Sequence, residues 1–144
     1  MIPAAPSWRS LPLASRGRPY RTVRVEGFEI LVGRGDEEND LLTFDVADPD
    51  DLWLHVAGGT PGSHVVVRNP ERLAELPQSV VERAAALAAW HSKARRARKV
   101  DVHVCRVRDV SKPRGMPPGK VLLACFDRIR VRPAGVPGDD TPEP

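Results

Sequence analysis

Apolar residues recur at every second position in Arg21 to Val25 and again in Phe28 to Val32. That is the side-chain period of half-buried strands. Glu26-Gly27 lies between the runs and predicts a two-residue hairpin turn. A loop follows from Gly33 to Asp40, where Asn39 or Asp40 is expected to cap a short helix over Leu41 to Val46. Asp48-Pro49-Asp50 ends that helix. The stretch Asp51 to Arg68 then reads as strand, turn, strand, reversed by the run Gly58-Gly59-Thr60-Pro61-Gly62. In its first arm Leu52, Leu54 and Val56 share a face opposite Trp53 and His55. In its second arm His64, Val66 and Arg68 lie opposite Val65 and Val67, and one register brings His55 close to His64.

After the turn signal Asn69-Pro70 the period changes. Val80, Ala84, Leu87, Ala88 and His91 recur at helical spacing, and Pro77 suits a first helical turn. A helix is predicted from Pro77 or Gln78 to about Arg98. Val100 to Val107 alternates again and predicts a strand with a late break in phase. Ser111 to Lys120 is a stiff basic loop, and Val121–Phe126 and Ile129–Val131 are the last predicted strands. The pattern gives an α+β fold: a mostly antiparallel sheet built from hairpins, with one long helix packed on it. Residues 1–18 and 134–144 lack periodicity and are expected to be disordered tails, the second acidic, around a single domain over 19–133.

Composition narrows the class. The charged fraction of 28% and hydrophobic fraction of 41% are those of a soluble globular protein. No apolar run is long enough for a transmembrane helix, and Pro3, Pro6, Ser7 and Arg9 interrupt any secretory h-region. Two cysteines, Cys105 and Cys125, make no disulfide framework, so a cytoplasmic location without membrane contact is expected. Net charge is only +3, yet it is unevenly spread. Glu26 to Asp51 is acidic, with Arg34 its lone basic residue, while Lys93 to Arg132 is strongly basic. Such asymmetry suits a polyanion. A plain arginine-rich surface is the alternative.

Catalytic patterns are weak. Gly62-Ser63-His64 lacks the rest of a nucleophile elbow, and Gly33-Arg34-Gly35 lacks the rest of a phosphate-binding fingerprint. His103, Cys105 and Cys125 have zinc-compatible chemistry without zinc-like spacing, and buried core cysteines are the simpler reading. No enzyme activity, cofactor or metal is expected.

Several segments in order resemble one family. They are Gly27-Phe28-Glu29-Ile30-Leu31-Val32-Gly33-Arg34, Glu38-Asn39-Asp40-Leu41-Leu42-Thr43 and Asp51-Leu52-Trp53-Leu54-His55-Val56. Next come Pro61-Gly62-Ser63-His64-Val65-Val66-Val67-Arg68, Ala88-Ala89 to Ser92-Lys93-Ala94-Arg95, and Lys112-Pro113-Arg114-Gly115 to Pro118-Gly119-Lys120-Val121. Together they resemble the NFACT-R family, the RNA-binding domain at the far end of ribosome quality-control proteins that engage stalled large subunits. The resemblance implies an α+β domain in the cytoplasm that contacts tRNA or ribosomal RNA, with the large ribosomal subunit as a possible partner. The large proteins of the family add an N-terminal domain, a helix-hairpin-helix module and a long coiled coil, none of which fits in 144 residues. Only the RNA-binding role is therefore expected to carry over.

The candidate RNA-binding residues are Arg34, Trp53, His55, Ser63, His64, Arg68, Lys93, Arg95, Arg96, Lys112, Arg114 and Lys120. Arginine and lysine would contact phosphate, turn glycines would admit the RNA backbone, and Trp53 and His55 would stack on unpaired bases. Core packing is the plainer reading of Trp53, and a structural pair that of His55 and His64. His55, His64 and Arg68 are expected on one side of the site and the Lys112 loop on the other. A protonated histidine on phosphate would tighten binding as pH falls from about 7.5 to 6. The alternatives are a nucleic-acid-processing enzyme using His55 and His64 as base and acid, and an adaptor whose basic face binds an acidic protein.

Overall fold

The computed structural model describes residues 20–136 of the 144. Strands β1 (Tyr20–Val25) and β2 (Phe28–Gly33) form the first hairpin. Glu26 and Gly27 at its tip have φ of 50° and 86°. Two positive φ values in succession make the turn whose twist matches the flanking strands. Helix α1 (Asp36–Leu41) follows and runs directly into a π-helical turn over Leu42–Val46. Strands β3 (Leu52–Val56) and β4 (Val65–Val67) are the arms of the central hairpin. Helix α2 (Gln78–Trp90) precedes β5 (Val100–Arg106). The short strands β6 (Val110–Ser111) and β7 (Leu122–Leu123) pair with each other, and β8 (Asp127–Val131) closes the chain of elements.

The main sheet has six strands in the order β1-β2-β4-β3-β5-β8, every neighbour antiparallel. The fold is thus α+β with a mostly antiparallel sheet, as the alternating pattern predicts. Strand pleating sorts the side chains onto two faces. Ile30, Val32, Leu54, Val56, Val65, Val67 and Val102 pack against Val80, Ala84, Leu87 and Ala88 of α2. The opposite face carries Tyr20, Leu31, Trp53, Val66 and Cys105, covered by Leu42 and Val110. Small alanines along α2 let it lie close on the sheet, and Ala84, Ala85, Ala88 and Ala89 have no exposed surface.

The helices differ in detail from the expectation. Helix α2 ends at Trp90, well before Arg98. The Ser92 hydroxyl donates to the Ala89 carbonyl at 2.7 Å and accepts from the Ala94 N–H at 3.0 Å. That side chain takes over the backbone groups that would continue the helix. The earlier helix starts at Asp36, so Asn39 lies inside it and does not cap it. Asp36, Glu37 and Glu38 fill its first turn, where negative charge is favoured by the helix dipole.

The strand expected over Val121–Phe126 shrinks to β7, because its partner β6 is only two residues long. Ala134 to Val136 do not leave the domain at once. The Ala134 N–H donates to the Ala86 carbonyl at 3.2 Å, and Val136 packs against the helix-side core. The remaining tail residues, 1–19 and 137–144, lie outside the described residues. Among the described residues, no helix is long and apolar enough to cross a membrane.

Candidate nucleic-acid interface

The central hairpin brings its polar residues together, and most of them turn inward. Asp51 has a side chain only 1% exposed. Its carboxylate accepts the backbone N–H of Asn69 at 2.7 Å and of Asp48 at 2.9 Å. Arg68 Nε lies 2.8 Å from the same carboxylate, and Arg68 also donates to Asp48 at 3.0 Å. A buried charge needs such a set of partners. Asn69 continues the brace, accepting from the Leu73 N–H and donating to the carbonyls of Asp50 and Leu73. Arg106 donates to carbonyls of Asp50, Leu73 and Ala74.

His55 and His64 are neighbours, as the register allows, with ring centroids 5.4 Å apart. Trp53 stacks on His55 at 5.9 Å and meets His64 edge-on at 5.0 Å. The hydrogen bonds run in one direction. Trp53 Nε1 donates to the Thr43 hydroxyl at 3.2 Å, and that hydroxyl lies 2.9 Å from His64 Nδ1. His64 Nε2 faces the Gly119 carbonyl at 3.3 Å. A carbonyl can only accept, so Nε2 carries the proton and Thr43 donates to Nδ1. This is a neutral imidazole with both nitrogens engaged. Burial pushes the His64 pKa down to about 3, and the charge repulsion of His55 adds to that. Burial lowers the His55 pKa as well, helped by His103 and Lys120. His64 therefore stays neutral across the range in which a protonated, phosphate-binding histidine was expected.

The basic loop is also partly built in. Lys112 Nζ donates to the Pro117 carbonyl at 2.6 Å and to that of Lys120, and lies 3.4 Å from the Asp40 carboxylate. Asp40 in turn accepts the Gly119 N–H at 3.2 Å. The loop is thereby docked on α1 beside His64, while Arg114 and Lys120 remain exposed. Arg108, Arg128 and Arg130 pair with Asp50 or Asp101. Part of the basic half of the sequence, Arg108, Lys112, Arg128 and Arg130, thus neutralises the domain's own acids.

A different arrangement lies where the β2–α1 loop, the central turn and the end of α2 meet. Gly62 and Ser92 form a bridge, with Ser63 N–H on the His91 carbonyl at 3.0 Å and Lys93 N–H on the Pro61 carbonyl at 2.9 Å. A Cβ at Gly62 would stand 2.7 Å from that of Ser92, so only glycine lets these segments approach. Asn39 fixes the third wall, accepting the His64 N–H at 3.1 Å and donating to the Gly62 carbonyl at 3.4 Å. A Cβ at Gly33 would collide with the Asn39 amide oxygen. These glycines serve close packing within the protein.

Between the walls is an open cleft of about 620 Å³, whose lining includes Arg21, Arg34, Asp36, Ser63, His91, Ser92, Lys93, Arg95 and Arg96. Among the described residues, Arg34, Lys93 and Arg96 have no ion-pair partner. Arg95 donates from Nε to the Trp90 carbonyl at 2.8 Å, and its guanidinium lies 4.8 Å from the Trp90 ring centroid. Unpaired cations around a concave surface are a phosphate-binding arrangement.

A family model described as NFACT protein RNA binding domain matches residues 18–124. The chain belongs to that family. Among curated proteins, the chain is 42% identical over 109 residues to the Rqc2 homolog RqcH of Bacillus subtilis (strain 168), covering 76% of this chain and 18% of that protein. It is 38% identical over 119 residues to the Rqc2 homolog RqcH of Streptococcus suis (strain 05ZYH33), covering 82% and 21%. The chain thus spans about a fifth of the length of these NFACT relatives. Among solved structures, it is similar to the C-terminal part of the fibronectin/fibrinogen-binding protein from Streptococcus suis. There the TM-score is 0.74 and the identity 37%, covering 83% of this chain and 47% of that one.

Of the sequence-derived candidates in this NFACT domain, Arg34, Ser63, Lys93, Arg95 and Arg96 meet at the cleft. Trp53 and His64 are 2% and 1% exposed, and Arg68 and Lys112 are tied to carboxylates. Arg21 and His91 at the cleft and Thr43 in the relay are not among the candidate RNA-binding residues read from the sequence. Thr43 carried a usable signal, since a threonine within an apolar helical segment needs a partner for its hydroxyl. Among the described residues, no group of three or more histidine, cysteine or acidic side chains is arranged to hold a metal ion. His103 packs on Phe126 at 4.4 Å, and burial pushes the Cys105 thiol pKa up to about 12.

Proposed function

We propose that the domain is a non-catalytic RNA-binding module that contacts tRNA or ribosomal RNA through the cleft, within ribosome-associated quality control in the cytoplasm. The observation that carries the reading is the convergence of Arg34, Lys93, Arg95 and Arg96 on one cleft, with Arg34, Lys93 and Arg96 unpaired among the described residues. Membership of the NFACT RNA-binding family supports the ligand class, and the relatives named Rqc2 homologs support the setting. Arg114 and Lys120 add a second, exposed contact on the docked loop. Trp53, His55, His64, Arg68 and Lys112 hold the frame that presents these groups.

The inward-facing histidines support the absence of catalysis. A histidine with a pKa pushed down to about 3 has no proton to give near neutrality, and its ring nitrogens are already engaged. Crosslinking in cells, followed by sequencing of the bound RNA, tests the reading. Recovery of tRNA or ribosomal RNA, lost when Arg34, Lys93 and Arg96 are changed to alanine, is the expected result. No RNA above background, with an acidic protein captured instead, would replace it with the adaptor reading.

A further inference from the structure

Arg95 differs from the other cations of the cleft. Arg34, Lys93 and Arg96 are free ends, whereas the Arg95 guanidinium is held in place by its Nε bond to the Trp90 carbonyl and by its position over the Trp90 ring. Trp90 is itself fixed. It ends α2, and a Cβ at Gly135 would stand 2.8 Å from its Nε1, so the backbone there packs directly against the indole. The Ala134 N–H bond to Ala86 keeps that backbone against the helix. The indole thus meets both the Gly135 backbone and the Arg95 guanidinium, and Arg95 lines the cleft.

A guanidinium held over an aromatic ring leaves its other face as a planar, cationic surface, and nucleobases stack on such planes. Duplex RNA cannot use it, because its bases are already stacked in the helix. The cleft is also of small-ligand size, within the roughly 300–1,000 Å³ typical of such pockets. That is room for one or two nucleotides. Ser63 and the Asp36 carboxylate provide hydroxyl and acceptor groups at the walls, where base edges and ribose need partners.

We propose that the cleft takes an unpaired nucleotide, its base stacked on the open face of Arg95 and its flanking phosphates held by Arg34, Lys93 and Arg96. This rests on the RNA-binding reading above and sharpens it: the domain selects single-stranded segments, loops or ends over duplex. The phosphate cations give affinity, and Arg95 with Trp90 gives the preference for an exposed base.

The test is fluorescence anisotropy of the full chain with a short single-stranded RNA, a blunt duplex of the same length, and the same single strand carrying abasic sites. The single strand is expected to bind about tenfold more tightly than the duplex or the abasic strand, the scale of one lost base stack. Arg95→Lys keeps the charge and removes the plane. It should lower affinity for the single strand about tenfold, leave duplex binding unchanged and preserve the salt slope. Circular dichroism and thermal melting of that variant confirm that it is folded. Equal wild-type affinity for all three RNAs, still weakened by loss of Arg34, Lys93 and Arg96, would overturn stacking while leaving the RNA-binding reading in place. Binding to none of the three would overturn both.

Discussion

Around His64 and Asp51, side-chain polar groups end on other protein groups, whereas at the cleft Arg34, Lys93 and Arg96 end in solvent. Both clusters are dense in chemistry-bearing residues, and both sit at the ends of the central hairpin. The difference is in their partners. A buried polar group without a hydrogen bond costs about 1–3 kcal/mol, so the inner cluster is densely bonded, and Arg68 Nε, which makes no hydrogen bond, is held in an ion pair 2.8 Å from the Asp51 carboxylate. An exposed cation needs no protein partner; Asp36 also lines the cleft but forms no ion pair with Arg34, Lys93 or Arg96, so their charge is left for a bound anion. The inner cluster is therefore the frame, and the outer one is the candidate contact surface.

Breaking the frame should give the largest effects. Asp51→Asn places an amide NH2 where the carboxylate accepts backbone N–H groups and Arg68. It should lower unfolding free energy by about 4 kcal/mol in denaturant titration. His64→Ala removes the link between Thr43 and Gly119 and leaves a cavity, and should cost about 3 kcal/mol. Its RNA affinity, measured well below its own melting transition, should match the wild type. A folded His64→Ala protein with much weaker binding would return that histidine to the RNA site.

Acid should act on the frame first. The folded-state pKa of His64 lies near 3, below the ordinary unfolded value of about 6.5. The unfolded chain therefore binds the proton more readily, and the stability contributed by the neutral ring is present above about pH 6.5 and is lost as pH falls toward 3. Between pH 7 and 5 the loss from this one group is about 2 kcal/mol, and the lowered pKa of His55 has the same sign. Thermal melting across that range should show it. His64→Gln should flatten the profile.

The smallest effect on stability belongs to the cleft. Arg34, Lys93 and Arg96 changed together to alanine should shift unfolding free energy by within about 0.5 kcal/mol. RNA affinity should nonetheless fall at least about tenfold, and the salt slope should drop by about 0.7 for each cation in contact with a single strand. Changing Lys112 instead should destabilise the loop docked on Asp40 while leaving that slope unchanged.

Unlike the short pair β6 and β7, the strands of the first two hairpins, the strand Val100–Arg106 and the two faces of the central hairpin are legible in the sequence. These follow from local periodicity: alternation puts Leu52, Leu54 and Val56 on the helix side and Trp53 and His55 opposite, whatever else the chain does. The ordered segments also carried the family resemblance, which the match over residues 18–124 shows to be membership. The end of α2 was harder to read, because it turns on one Ser92 hydroxyl capturing a carbonyl where alanine density still favours helix.

Which polar residues face in is settled by contacts between distant segments. Arg68 and Arg34 look alike in sequence, but Asp51 and Asp48 occupy the first and no carboxylate among the described residues occupies the second. The same holds for Lys112 and Lys93. Pairing depends on segments far apart in the chain, such as Asp40 with the loop after Lys112, and Pro61 with Lys93. Composition counts charges, but compensation is a distance between residues, and that distance is set only when the sheet closes and the glycines at 33 and 62 let the walls of the cleft touch.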